Sequence, residues 1–213
     1  MSRRTWSVAR RYVLPPGAVG AALLLRGSRR SGWAVVGLAG VVAAFFRDPE
    51  RPLQADPDVV YAAADGLVTA VETGVEDPWL PGGQGDRVTV FLSLHNVHVT
   101  RSPIAATLER SEELGDGFAP ALFKTAADNR RNRLLLDADG TPVVVVQVAG
   151  LIARTITNWV RPGDRLAAGQ RLAVIHFGSR TDVLVPTGSA EVLVRPRQRV
   201  RAGVTPLYRL RRG

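Results

Sequence analysis

Cysteine is absent from the 213-residue sequence, lysine occurs once, and there are only three histidines. A chain without cysteine has no disulfide framework, no thiolate nucleophile, no iron–sulfur cluster and no cysteine-type zinc site. Lys124 is the only side chain that a lysine-dependent Schiff-base enzyme could use. A three-histidine metal site would need all of His95, His98 and His176, so the sequence predicts no metal site.

Charge is unevenly distributed along the chain. Residues 1–51 have a net charge of +7 and residues 195–213 another +7, whereas residues 52–194 have −5. A nucleic-acid-binding protein usually has its positive charge on the folded domain, so this pattern argues against a nucleic-acid partner. Basic segments at both ends instead favour an anionic membrane surface as a partner.

Two apolar runs lie near the start of the chain, Val13–Leu25 and Trp33–Phe46. Each is shorter than the roughly 20 residues that a bilayer-spanning helix needs, and Pro15 and Pro16 interrupt the first run. Leu23–Leu25 at the end of the first run and Val41–Phe46 at the end of the second have no polar face. We therefore expect residues 1–51 to form a membrane-associated helical hairpin with both ends on the same side. The alternative is a helical hairpin buried in the core of a soluble protein.

Residues 52–213 are dominated by short β-rich runs bounded by turn residues. The predicted strands are Val59–Ala62, Leu67–Val71, Arg87–Leu92, Leu134–Leu136, Val143–Val148, Leu172–His176, Val183–Val185 and Ala190–Val194. One helix is predicted over Phe118–Asn132. The fold class is therefore mainly β with few helices, preceded by the N-terminal hairpin. The short strands and glycine turns of residues 160–194 resemble the barrel-sandwich domains of lipoyl and biotinyl carriers, but residues 125–213 contain no lysine for attachment.

The dipeptide Gly178-Ser179 follows an apolar run and offers an unusual chemistry. Glycine tolerates strained backbone conformations, so the serine hydroxyl could attack the carbonyl before it and convert the amide to an ester. Elimination would then break the chain and leave a dehydroalanine, which hydrolyses to an N-terminal pyruvoyl group. That ketone could replace a lysine-bound cofactor as an electron sink. Taken alone, however, Gly-Ser is typical of an ordinary turn.

Further segments carry a family resemblance, and they occur in a fixed order along nearly the whole chain. They are Phe46-Arg-Asp-Pro-Glu-Arg-Pro52, Ala64-Asp-Gly66, Asn96-Val-His-Val-Thr-Arg-Ser-Pro103, Gln147-Val-Ala-Gly150, and Phe177-Gly-Ser-Arg180 with Asp182 and Pro186. Together they resemble the phosphatidylserine decarboxylase proenzymes, in particular their short, type II form.

The resemblance implies self-cleavage between Gly178 and Ser179. The products would be a β chain of residues 1–178 and an α chain of residues 179–213, associated as a heterodimer, with further oligomerisation left open. The α chain would start with a covalent pyruvoyl cofactor derived from Ser179, which forms a Schiff base with phosphatidylserine. Loss of CO₂ would give phosphatidylethanolamine, a step of phospholipid biosynthesis. The resemblance also implies a peripheral or monotopic protein on the cytoplasmic face of the cell membrane.

The same resemblance assigns roles to three other residues. Asp65 would orient or charge a base near Ser179, and His98 would move protons during cleavage or decarboxylation. Arg180 would bind phosphate or carboxylate of the substrate, although a surface salt bridge explains it equally well. Asp65-Gly66 is also a common turn pair. Longer family members have a second histidine where this chain has Arg101, so His98 would have to serve both steps alone.

Two other functions remain open at this point. A membrane-anchored barrel-sandwich adaptor without catalysis would share the hairpin and the β-rich domain, but it normally has a long heptad-bearing insertion that this sequence lacks. A hydrolase using Ser179, His98 and Asp65 would normally have a Gly-x-Ser-x-Gly elbow, which is also missing. Only the decarboxylase function predicts a break between residues 178 and 179.

Overall fold

The computed structural model describes residues 1–115, 130–150, 155–176 and 179–211. The chain divides into two compact units, Met1–Glu50 and Arg51–Gly213. The first consists of helices and the second of strands, so the protein is mainly β with a helical N-terminal segment, which confirms the predicted fold class.

The N-terminal unit is a pair of helices, α1 (Arg3–Leu25) and α2 (Arg29–Phe45). The side chain of Ser2 caps α1 by accepting a hydrogen bond from the amide of Thr5. Contrary to the expected interruption, α1 continues through Pro15 and Pro16. A proline removes its own amide donor and crowds the preceding turn, which weakens a helix locally without always ending it.

Small residues bring the two helices close together. A Cβ atom on Gly20 would lie 2.7 Å from Cγ2 of Val36, and one on Gly32 would lie 2.6 Å from the side chain of Leu24. At the base of the pair, the Thr5 hydroxyl donates to Asp48 at 2.9 Å. In the part of the chain that the structure describes, no helix is both long and apolar enough to cross a membrane.

The second unit contains fourteen strands among its described residues. They are β1 (Val59–Tyr61), β2 (Gly66–Glu76), β3 (Gln84–Leu92), β4 (Val99–Arg101), β5 (Ala106–Leu114), β6 (Arg131–Ala138), β7 (Thr141–Ala149), β8 (Ile156–Asn158), β9 (Arg165–Leu166), β10 (Arg171–Ile175), β11 (Ser179–Pro186), β12 (Ala190–Val192), β13 (Arg199–Val200) and β14 (Pro206–Leu210). A short 3₁₀ turn, Pro81–Gly83, precedes β3.

The strands form one large sheet and two small ones, and every pairing is antiparallel. The large sheet is curled and has the order β13-β2-β3-β11-β7-β6-β5-β9. The small sheets have the orders β4-β10-β8 and β1-β14-β12. The predicted helix over 118–132 falls mostly outside the described residues, and its last two positions belong to β6.

The core lies on one face of the large sheet. Side chains alternate between the two faces of a strand, so Val183 and Val185 of β11 point into the core together with their cross-strand neighbours. Tyr208 of β14 is fully buried there, and its hydroxyl donates to the main-chain carbonyls of Val183 and Asp86. These contacts fix the position of β11, which begins at Ser179.

Candidate functional site

Three neighbouring strands of the large sheet are each adjacent in sequence to one strand of the β4-β10-β8 sheet. The strands β3, β11 and β7 are neighbours in the large sheet, and β4, β10 and β8 follow the same order in the small one. In sequence, β3 leads to β4 through residues 93–98, whereas the segments between β10 and β11 and between β7 and β8 lie mostly outside the described residues. We call the ends of these strands the junction; His98 is the last residue before β4, and Ser179 is the first residue of β11.

Ser179 is at the end of the central strand of this junction. It pairs with Leu92 of β3 and with Ala149 of β7, and its side chain is fully buried. Its Oγ atom has no hydrogen-bond partner among the described residues. Gly178, the other half of the predicted cleavage site, lies outside the described residues. A buried serine hydroxyl without an acceptor is free to attack a neighbouring carbonyl carbon.

His98 is also buried at the junction, and its hydrogen bond identifies its tautomer. Its Nδ1 atom lies 3.0 Å from the main-chain carbonyl oxygen of Asn96. Because a carbonyl oxygen only accepts hydrogen bonds, Nδ1 must carry the proton, and Nε2 is the basic nitrogen of the neutral ring. The carbonyl of His98 accepts from the amide of Ile175, which is four residues before Ser179. The side chain therefore has the tautomer that a general base needs.

Asp65 lies at the same end of the large sheet. Leu67 of β2 pairs with Phe91, which places Gly66 beside Leu92, the residue opposite Ser179. A Cβ atom on Gly66 would lie 2.1 Å from the Phe91 carbonyl oxygen, so this position requires glycine. The backbone of Asp65 is thus fixed next to the row that contains Ser179.

The carboxylate of Asp65 is bound to two other groups. Its oxygens lie 2.5 and 2.7 Å from the two Nη atoms of Arg51, and one of them accepts from the main-chain amide of Ala202 at 2.8 Å. Arg51 also donates to the Ala202 carbonyl at 2.8 Å. Among the described residues, the hydrogen bonds of this carboxylate therefore go to Arg51 and Ala202. The action of Asp65 on a base near Ser179 stays a prediction.

Arg180 points away from Ser179. The two residues are consecutive in β11, and consecutive side chains lie on opposite faces of a sheet. The guanidinium of Arg180 forms an ion pair of 3.1 Å with Asp182 on the outer face of the sheet. The structure therefore does not bring Arg180 together with Ser179 or His98, and its predicted binding of substrate stays untested.

A buried polar network lies on the same face as Ser179; it includes Gln147 of the quoted motif, but its hydrogen bonds were not predicted from the sequence. The amide of Asn132 donates to Gln147 and to Asn158 at 3.0 Å each, and Gln147 donates to Thr100 at 2.8 Å. Gln147 pairs with Thr181, two residues after Ser179. The network connects β6, β7, β8 and β4. Its signal in the sequence is Gln147, an amide side chain that follows the apolar run Val143–Val146 within β7.

His176, three residues before Ser179, is buried and neutral. Burial lowers the pKa of its imidazole from the ordinary 6.5 to about 4. Its Nε2 atom lies 3.2 Å from the hydroxyl of Thr157. Within the described ranges, no three His, Asp or Glu side chains are grouped in a way that could hold a metal ion.

Comparisons with known proteins agree with the motifs. A family model described as phosphatidylserine decarboxylase matches residues 38–208. A phosphatidylserine decarboxylase proenzyme of Symbiobacterium thermophilum is 46% identical over 181 residues, which cover 84% of this chain and 83% of that protein. The proenzyme of Burkholderia ambifaria is 43% identical over 150 residues, covering 70% and 69% of the two chains. That of Burkholderia cenocepacia is 38% identical, with 75% of this chain and 86% of that protein covered.

Proposed function

Since the chain belongs to the phosphatidylserine decarboxylase family and is thus a decarboxylase, we propose that it matures by self-cleavage at Gly178-Ser179 and works with a pyruvoyl group derived from Ser179. Family membership confirms the resemblance and decides against a non-catalytic adaptor. The reaction is the conversion of phosphatidylserine to phosphatidylethanolamine and CO₂. The observation that carries the proposal is the buried hydroxyl of Ser179, which has no hydrogen-bond partner within the described part of the chain.

Cleavage starts with attack of the Ser179 hydroxyl on the carbonyl carbon of Gly178. The hydroxyl proton leaves, the C–N bond of the peptide breaks, and an ester joins the two segments. Removal of the α proton of residue 179 then expels the Gly178 carboxylate and leaves a dehydroalanine. Water hydrolyses its imine tautomer, which releases ammonia and leaves the pyruvoyl terminus. No oxidant is needed, because the elimination and hydrolysis account for all electrons.

His98 is the residue that we assign to proton transfer. Its Nδ1–H is bound to the Asn96 carbonyl, so Nε2 is the basic nitrogen of the neutral ring. The hydrogen bond from the Ile175 amide to the His98 carbonyl fixes the backbone of His98 next to β10, the strand that precedes β11 in sequence. His98 would take the hydroxyl proton during cleavage, and it would move a proton at the same place during decarboxylation.

The pyruvoyl group would supply a ketone that condenses with the amine of phosphatidylserine and accepts the electron pair released with CO₂. The residues around Ser179 suit that chemistry because they exclude water. Leu92 and Ala149 flank it and are fully buried. A low-dielectric site favours the loss of the substrate carboxylate charge, since departure of CO₂ removes a buried anion.

After cleavage, the two chains would remain associated as a heterodimer. Strand β11 of the α chain lies between β3 and β7 of the β chain, and β14 of the α chain pairs with β1. The core face of β11 is also buried among β-chain side chains. Separation would expose this apolar surface to water, which is unfavourable.

The N-terminal helices would provide contact with the membrane. Several large apolar side chains of this unit are exposed, and they are Leu14, Val19, Leu25, Trp33, Leu38 and Val41. Arginines lie close to them in the sequence, at positions 26, 29 and 30. Apolar side chains beside positive charge favour an interfacial position on an anionic membrane. We therefore propose a peripheral or monotopic protein on the cytoplasmic face of the cell membrane, which meets phosphatidylserine there.

Denaturing gel electrophoresis of the purified full chain tests the cleavage. The wild type should separate into a large chain and a peptide of 35 residues, residues 179–213. Ser179→Ala should remain a single chain, because it has no hydroxyl to attack the carbonyl. Ser189→Ala is the matched control, since its hydroxyl is bound to the Pro186 carbonyl within the same segment. An uncut wild type, or cleavage of Ser179→Ala, would overturn the proposal.

A further inference from the structure

The face of the large sheet opposite Ser179 contains a cavity of about 190 Å³, which we call the outer-face cavity. Its lining includes six charged residues that lie close together, Arg87, Arg131, Arg133, Arg180, Asp77 and Asp182. Glu76 also lines the cavity, so four arginines face three carboxylates there. The cavity is separated from the junction at Ser179 by the sheet itself.

Strand register brings these charges together. Arg133 of β6 pairs with Val146 of β7, which pairs with Asp182 of β11. Two residues before Arg133, Arg131 pairs with Val148, which in turn pairs with Arg180. Paired residues lie on the same face of a sheet, and neighbouring strands are about 4.8 Å apart. The two arginines of β6 and the charged pair of β11 therefore face the same space.

The ion pairs in the cavity leave some polar atoms without partners. Nη2 of Arg133 lies 2.7 and 2.8 Å from the two oxygens of Asp77, and Nη2 of Arg180 pairs with Asp182. The Nε atoms of Arg133 and Arg180 are buried and have no acceptor among the described residues. Oδ1 of Asp182, whose side chain is 3% exposed, has no donor there. A buried polar atom without a partner is costly, and a ligand or water would relieve that cost.

We propose that the outer-face cavity binds a small phosphate compound bearing a primary amine, with the phosphate between Arg133 and Arg180 and the ammonium on Asp182. Guanidinium groups bind phosphate oxygens through strong, charge-assisted hydrogen bonds, which would satisfy both Nε donors. An ammonium supplies the donor that Oδ1 of Asp182 lacks. Such a compound has the size and chemistry of an aminophospholipid headgroup.

A positive ligand would change the protonation of Asp182. Burial raises the pKa of this carboxyl group above its usual range, although the guanidinium groups of Arg180 and Arg87 act in the opposite direction. A bound ammonium at Oδ1 would favour the ionised carboxylate. The site itself does not depend on the proposed function. Only the source of the ligand does, because phosphatidylethanolamine is the product of the proposed reaction.

Calorimetric titration of the full chain with phosphoethanolamine, inorganic phosphate and ethanolamine tests the site. Phosphoethanolamine should bind about tenfold more tightly than phosphate, since it makes one more charge-assisted contact, and ethanolamine should bind weakest. The titrations use the wild type and Ser179→Ala. The second chain cannot mature by the proposed route, so binding to it is independent of whether the proposed function is correct.

Two variants assign the binding to the cavity. Arg133→Gln should weaken binding of both phosphate compounds about tenfold. Asp182→Asn should remove only the preference for the amine. Arg130→Gln is the control, because Arg130 is exposed, pairs with Glu113 and does not line the cavity. Unfolding curves of each variant show whether it is folded, and Asp182→Asn, which keeps the shape of the side chain, carries the test if Arg133→Gln unfolds.

A final titration separates the two sources of the ligand. Dihexanoyl phosphatidylethanolamine should compete with phosphoethanolamine if the cavity admits a lipid headgroup, and should not compete if only the free compound fits. Either result supports the site. Absence of phosphoethanolamine binding, or binding that neither Arg133→Gln nor Asp182→Asn changes, would overturn it.

Discussion

The carboxylate of Asp65 accepts a hydrogen bond of 2.8 Å from the main-chain amide of Ala202, 137 residues further along the chain. Arg51 holds both groups, because its guanidinium contacts the carboxylate and also the Ala202 carbonyl. Residue 65 precedes the proposed cut and residue 202 follows it. This cluster would therefore tie the two mature chains together, a positioning role that differs from direct action on a base.

Replacing either partner of this cluster should destabilise the heterodimer. The side chains of Arg51 and Asp65 are only 10% and 11% exposed, and loss of one partner of a buried pair costs about 3–5 kcal/mol. Asp65→Asn and Arg51→Met should both lower the unfolding temperature and promote separation of the chains, as measured by thermal unfolding and size-exclusion chromatography. Arg110→Met, at an exposed ion pair, is the control. If Asp65 acts directly on a base, Asp65→Asn will slow cleavage while Arg51→Met leaves it unchanged.

His98→Gln should slow self-cleavage by about 10²–10⁴-fold, because general-base catalysis contributes that much. Glutamine keeps a donor for the Asn96 carbonyl but has no basic nitrogen. The measurement is a time course of chain cleavage after synthesis of the precursor in a cell-free system. The exposed His95 provides the control His95→Gln. Cleavage of His98→Gln at the wild-type rate would remove His98 from the mechanism.

Stability should fall as the pH drops from 6.5 towards 4 because of His176. Its pKa is about 4 in the folded protein and 6.5 in the unfolded chain, so in this range the unfolded state binds a proton that the folded state does not. Above pH 6.5 the imidazole is neutral in both states, so stability is not reduced. Below pH 4 the loss in free energy of unfolding reaches its full value, at most about 3 kcal/mol. His176→Gln should flatten the dependence of unfolding temperature on pH between 4 and 6.5. An unchanged slope would show that other groups cause it.

Gly66→Ala should destabilise the β unit by about 1–3 kcal/mol or more, as overpacking of a tightly packed site does. The added Cβ would lie 2.1 Å from the Phe91 carbonyl oxygen, a main-chain atom that cannot move without disturbing the β2–β3 pairing. Chemical denaturation measures the loss. Gly37→Ala, with open space around its Cβ position, is the control and should not be destabilised.

Local patterns in the sequence were sufficient for many elements of the fold. The apolar run Leu172–His176 corresponds to β10 (Arg171–Ile175), and Val143–Val148 lies within β7. The predicted strand Val183–Val185 is only the apolar part of β11, which starts at Ser179. The beginning of β11 was not predicted as a strand because the charged residues Arg180 and Asp182 alternate with buried ones there, and the two form an ion pair on the outer face.

Long-range pairing is the part that the sequence could not supply. The network of Asn132, Gln147 and Thr100 depends on the register of three strands, and no local pattern fixes that register. The contacts of Arg51 and Asp65 with Ala202 likewise join residues 151 and 137 positions apart. That Arg180 lies on the other face of the sheet from Ser179 could have been deduced, because side chains alternate between the two faces along one strand.

The chemical nature of the new terminus at residue 179 shows directly whether Ser179 becomes a pyruvoyl group. The measurement is the intact mass of the 179–213 peptide from purified wild-type protein, before and after reduction with borohydride in the presence of ammonium. Self-cleavage by Ser179 predicts a terminus with the mass of a pyruvoyl group, which reduction in ammonium converts to alanine. A peptide that begins with an unmodified serine, or a chain that remains intact, would contradict it.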